Sequence, residues 1–238
     1  MNEKLDASQK WFSFALAFVG GWGDATGFVI AKTFTAHVTG NLVLASIAIA
    51  SGNWRGIVAH FSAVLCFLLG IPLNAIIMRF TARFNLWPPL VASVAIELGL
   101  VLSAYMALAV QPAASLPIFV GSLALALGLQ NAAFRHAGAI SIHTTYLTGT
   151  ITSLLGPKLE QEALHLTPAK PEGPDPKSRL VFGVCVAFVI GAATAASVVL
   201  RSRQLGVLVL AFSLLVILFF CYLRLAADNK QPAMHSAD

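Results

Sequence analysis

Apolar residues along this chain gather into long, nearly unbroken runs separated by short polar breaks. Eight runs stand out, at about Trp11–Ala31, Phe34–Ala50, Ile57–Phe80, Trp87–Val110, Leu116–Phe134, Ile140–Leu155, Leu180–Leu200 and Leu205–Ala226. About 20 apolar residues in helical conformation cross the hydrocarbon core of a bilayer, so most of these runs read as membrane spans. Phe34–Ala50 and Ile140–Leu155 are shorter, and each holds a Thr-Gly step near its start, which reads as a broken helix or a re-entrant segment. The pattern predicts an all-α polytopic transmembrane bundle of six to eight membrane segments. The single long polar stretch, residues 156–179, holds Pro157, Pro168, Pro171, Pro174 and Pro176 and is expected to be a soluble loop rather than a domain.

Composition strengthens this reading. Of 238 residues, 58% are hydrophobic and 11% charged, and the mean hydropathy is +0.81. A soluble domain carries roughly a quarter charged residues, so an ordinary soluble enzyme is excluded and a single integral membrane domain over 1–238 is expected. The net charge is +5, but the fifteen Lys and Arg stand at the ends of apolar runs, as orienting charges do, and form no face for nucleic acid. Lys4, Lys10, Lys158, Lys170, Lys177, Arg179, Arg224 and Lys230 predict a multi-pass protein of the cell membrane with both termini and the polar loop in the cytoplasm. Met1–Lys10 leads into the first run without a small-residue cleavage site, so that run is expected to be an uncleaved span. Cys66, Cys185 and Cys221 lie inside apolar runs and read as small buried hydrophobes.

The two halves share a pattern, with repeat 1 at about 11–110 and repeat 2 at about 115–226. Gly21-Trp22-Gly23-Asp24-Ala25 matches Gly128-Leu129-Gln130-Asn131-Ala132. Thr39-Gly40-Asn41 matches Thr148-Gly149-Thr150, and Phe67-Leu68-Leu69-Gly70 matches Phe188-Val189-Ile190-Gly191. Duplicated membrane folds place binding sites where the repeats meet, with interrupted helices whose N-termini face the ligand. Thr39 and Thr148 are therefore expected to cap the helices that follow them, and Gly40 and Gly149 to admit a ligand. His37, Asn41, Asn131 and Tyr146 complete the expected pocket around Asp24. The blander reading is that these Gly and Thr residues only let helices pack closely.

An ionisable residue within a span costs roughly 2.5–3.5 kcal/mol to insert, which makes Asp24 and Glu97 the candidate ion-coupling groups. The alternative for each is a paired carboxyl that fixes helix packing. Lys32 and Arg135 read as snorkelling cations, or as counter-ions for a carboxylate or an anionic ligand. Asn74 is expected to make a helix-to-helix hydrogen bond. His37, His60 and His143 lack metal-ligand spacing, and neither a nucleotide-binding motif nor a nucleophile elbow occurs, so neither metal nor cofactor is expected.

Gly20-Gly21-Trp22-Gly23-Asp24-Ala25-Thr26-Gly27-Phe28, followed by Phe34-Thr35-Ala36-His37-Val38-Thr39-Gly40-Asn41, resembles the signature of the YoaK family of small membrane proteins (DUF1275). Gly128–Ala132 and Thr144–Thr150 are similar to that family's later motif. The resemblance covers nearly the whole chain and implies a polytopic membrane protein; it implies no particular substrate.

Three functions remain open on the sequence. The foremost is a permease or secondary transporter for a small solute, driven by an ion or proton gradient if it is active. The others are a membrane enzyme acting on a lipid-soluble substrate, and a non-catalytic membrane assembly subunit. The expectation is a non-enzymatic protein whose partners are the bilayer, an unidentified small solute and, if an apolar face is left uncovered, a second copy of itself.

Overall fold

The computed structural model describes residues 7–84, 88–110, 115–134, 136–137, 140–141, 152 and 176–228. Its helices are α1 (Ala7–Ala31), α2 (Val38–Ala50), α3 (Trp54–Phe84), α4 (Pro89–Val110), α5 (Leu116–Ala133), α6 (Pro176–Val199) and α7 (Arg203–Asp228). A two-residue hairpin, His136–Ala137 paired antiparallel with Ile140–Ser141, follows α5. Among the described residues, six of the helices are long and apolar enough to cross a membrane, and α2, with 13 residues, is not. The short second run of the sequence is thus a separate helix of about 20 Å, too short for a hydrocarbon core of about 30 Å.

One boundary differs from the sequence reading. The polar loop expected over 156–179 ends earlier, because α6 begins at Pro176. A proline breaks a helix interior but fits its first position, where its missing N–H has no partner to lose.

Contacts between helices fix their directions. Gln130 on α5 donates a hydrogen bond to the Leu16 carbonyl on α1, and Gly23 on α1 packs on Leu127, so α1 and α5 run antiparallel. The Arg224 guanidinium meets the Ser8 hydroxyl, Trp11 packs on Phe220 at 4.8 Å, and the Trp22 indole donates to the Gly206 carbonyl. Helix α7 is therefore antiparallel to α1, and Ala7 and Asp228 lie at the same end of the bundle. Lys32, at the far end of α1, lines one cavity with Trp54 and Leu116, so α3 and α5 both start at that end. Lys10, Arg79, Arg83, Arg179 and Arg224 mark the Ala7 end; Lys32, Arg55, Arg201 and Arg203 mark the other.

The core lies along α5, where Phe119, Leu123, Ala124, Ala126 and Leu129 are fully enclosed by α1, α3 and α4. Large apolar side chains on α3 and α7, among them Phe61, Leu65, Ile76, Phe212 and Phe219, are exposed on the outside. That inversion suits a protein solvated by lipid, where helices are held by close packing and internal hydrogen bonds rather than by expulsion of water. Asn74 makes the helix-to-helix bond its position predicts, accepting from the Ser93 hydroxyl of α4 at 2.9 Å. The three cysteines are free thiols.

Two crossings bring backbones into contact. Where α1 meets α6, a Cβ on Gly21 would overlap the Phe188 carbonyl, and one on Gly191 would overlap the Phe18 carbonyl. Where α5 meets α3, a Cβ on Gly128 would overlap the Phe67 carbonyl, and one on Gly70 would overlap the backbone from Leu125 to Leu129. Only glycine permits such an approach.

Candidate functional site

Helix α1 ends at Lys32, whose φ of 56° turns the chain back, a conformation that costs a side-chain-bearing residue about 1–2 kcal/mol. Residues 33–37 then descend along the flank of α1. Gly27 makes this possible, since a Cβ there would overlap Thr35 and crowd the Thr33 carbonyl. The Thr35 hydroxyl donates to the Gly23 carbonyl at 3.1 Å. Gly23 and Gly27, one turn apart, are thus the strip on which the descending segment docks.

Asp24 holds that segment in place. Its Oδ1 accepts the backbone N–H groups of Thr35 and Ala36, each at 2.8 Å, and its Oδ2 lies 2.5 Å from Nδ1 of His37. The carboxylate is 5% exposed, so three hydrogen bonds replace the water it has lost. Seven residues of helix separate it from the end of α1, a descent of about 10 Å. Helix α2 starts there and climbs back to the turn at Ser51–Asn53, beside the start of α3. The arrangement is a re-entrant segment that dips beside α1 and returns as a half-helix.

Two further contacts close the turn. The Asn41 amide pairs with both backbone groups of Phe34, accepting its N–H at 3.0 Å and donating to its carbonyl at 2.6 Å. Phe34 stacks on Phe28 at 4.5 Å, and the His37 ring lies between Phe34 and Phe188, the residue whose carbonyl meets Gly21. The Asp24 cluster therefore abuts the α1–α6 crossing.

Of the residues singled out in the sequence, the structure brings together Asp24, His37 and Asn41. Thr39 does not cap α2. The cap position belongs to His37, which makes no side-chain capping bond, and Thr39 lies exposed within the first turn. The reason is tertiary: once Asp24 fixes Thr35 and Ala36, the chain is free to turn helical from Val38. Gly40 serves the protein's own packing, because a Cβ there would come within 3.1 Å of the Phe34 ring. Asn131 is half-buried near the end of α5. Tyr146, Thr148 and Gly149 lie outside the described residues.

Glu97 stands apart from Asp24. It is 1% exposed on the face of α4 that packs against α5 and α7, one turn above Ser93, and its Oε1 has no hydrogen-bond partner among the described residues. The two carboxyl groups thus belong to different parts of the bundle. Sequence reasoning did not single out Thr35, Phe34 or Gly27. The signal was present in the four-residue spacing of Gly23 and Gly27, which marks a face for close backbone approach. Among the described residues, no three His, Cys, Asp or Glu side chains gather to hold a metal ion.

Comparison with known proteins places this arrangement in a family. A family model described as "Protein of unknown function (DUF1275)" matches residues 12–221, from α1 to α7. The "UPF0700 transmembrane protein YoaK" of Bacillus subtilis (strain 168) is 29% identical over 142 residues, 59% of this chain. That match spans 63% of the relative's length, under two thirds of it. No solved structure matches the chain. With its six membrane-long helices and a family match that includes the whole Asp24 turn, the chain belongs to the DUF1275 family and is a multi-pass membrane protein.

Proposed function

We propose that the protein is a small-solute permease or secondary transporter built from two inverted repeats of three crossings each, with its moving parts at the two glycine crossings. One observation carries the reading: the α1–α6 crossing is reproduced by α5–α3. Phe18 and Gly21 in the first correspond to Leu125 and Gly128 in the second, each 107 positions on. Phe67 and Gly70 likewise correspond to Phe188 and Gly191, each 121 positions on. In both crossings a glycine of one half rests on a phenylalanine carbonyl of the other. The antiparallel course of α1 and α5 supports opposite orientations of the halves, as three crossings per repeat require.

In this reading Asp24 is the latch of the first repeat. It positions the N-terminus of α2, a positive dipole end, beside the interface at which the halves move. Glu97 supplies a separate buried carboxyl for coupling to protons or cations. The Ala7 end faces the cytoplasm, because the chain segments leaving the helices at that end also carry Lys4, Lys158, Lys170 and Lys230 in sequence.

The test is stopped-flow light scattering of proteoliposomes under osmotic gradients of small neutral, cationic and anionic solutes. Protein-containing vesicles are expected to re-swell faster than protein-free ones for one solute class. Where uptake follows a gradient, Asp24→Asn with Glu97→Gln should abolish the dependence on that gradient. Equal behaviour of loaded and empty vesicles for every class contradicts the proposal.

A further inference from the structure

The largest cavity among the described residues does not surround Asp24. It lies at the opposite end of the bundle from Ala7, encloses about 880 Å³, and opens between the end of α1 and the starts of α3 and α5. Its charge is one-sided. Lys32 and Arg55 line it, no carboxylate does, and neither cation forms an ion pair among the described residues. Two helix N-termini, at Trp54 and at Leu116, converge on it and add positive potential of their own. The C-terminus of α1 contributes the opposite sign, but the Phe28 carbonyl accepts the Lys32 N–H and the Ala31 carbonyl accepts the Thr33 hydroxyl.

The inner wall holds one buried polar group. His60, 8% exposed, has its Nδ1 at 3.3 Å from the Thr33 hydroxyl. That hydroxyl spends its only proton on Ala31, so it accepts from His60 Nδ1–H. The neutral ring then presents Nε2 as an acceptor, and Nε2 makes no hydrogen bond among the described residues. The remaining wall is apolar, formed by Val58, Leu116 and Val120.

We infer that this cavity binds organic anions, a carboxylate or phosphate head held by Lys32 and Arg55 with an apolar body against Val58, Leu116 and Val120. Either a free amphipathic acid or the headgroup region of an anionic lipid supplies that chemistry. The inference deepens the transport reading, on which it rests for its role as an entry site, by naming the substrate class.

The experiment measures binding by isothermal titration calorimetry with the full chain in phosphatidylcholine nanodiscs. Sodium hexanoate is the probe and hexylamine, with the same apolar body and the opposite charge, is the control. Hexanoate is expected to bind and hexylamine not. The double variant Lys32→Asn/Arg55→Gln should weaken hexanoate at least tenfold; both side chains are exposed, and Asn tolerates the left-handed backbone at position 32. Phosphatidylglycerol in the nanodisc separates the sources. Loss of hexanoate binding there assigns the site to lipid, and unchanged binding assigns it to a free anion. Absence of hexanoate binding in either lipid, equal binding of hexylamine, or an unchanged affinity in the double variant overturns the inference. Anion binding without permeation in the swelling assay refutes transport and leaves the cavity standing; permeation of a cation without hexanoate binding does the reverse.

Discussion

At the residue scale, one carboxylate carries the local structure. Asp24 accepts two backbone N–H groups through one oxygen and faces His37 through the other. Removing it strands those donors in a buried place, and breaking a buried charged pair costs about 3–5 kcal/mol. Asp24→Ala should therefore lower thermal stability in a fixed detergent by that order. Asp24→Asn keeps an oxygen for both N–H groups and forfeits chiefly the charge-assisted contact with His37, so its cost should be about 1.5–3 kcal/mol. Equal losses for the two variants would show that the N–H bonds do not hold the turn. The second half of the sequence carries Asn131 at the corresponding position, the same polar shape without the charge.

At the scale of elements, the glycines at the two crossings act as a set. Gly21→Ala or Gly128→Ala drives a methyl into a carbonyl of the facing helix, and overpacking of that kind costs about 1–3 kcal/mol. Gly99 on α4 has open space where its Cβ would be, so Gly99→Ala should be stabilising by about 0.5–1 kcal/mol through helix propensity alone. Thermal denaturation of the three variants checks this, and a Gly99→Ala loss as large as the other two would contradict the crossing geometry. These elements also show what a sequence can reveal. The six long helices were legible because an apolar run of span length has few other stable fates, and their ends moved by only a few residues. The dip before α2 was legible as a short run opening with β-branched and aromatic residues. Its cap was not, because Asp24, eleven residues before Thr35, decides where the helix begins. The cavity at Lys32, Arg55 and His60 was hidden for a similar reason: its walls come from three helix ends distant in sequence.

At the scale of the whole molecule, the account stands on opposite orientation of the halves. The loop after α3 holds Arg79 and Arg83 and the turn after α6 holds Arg201 and Arg203; these stand at opposite ends of the bundle, yet α3 and α6 occupy corresponding places in the proposed repeats. A fourth full crossing in each half would put both on one side. The direct measurement is labelling of single cysteines by a membrane-impermeant maleimide in oriented vesicles. Arg83→Cys and Arg201→Cys would each be made in a background where Cys66, Cys185 and Cys221 are replaced by alanine. The account predicts that Arg83→Cys reacts only from the cytoplasmic face and Arg201→Cys only from the opposite face. Labelling of both from the same face would contradict the inverted arrangement and the transport reading built on it.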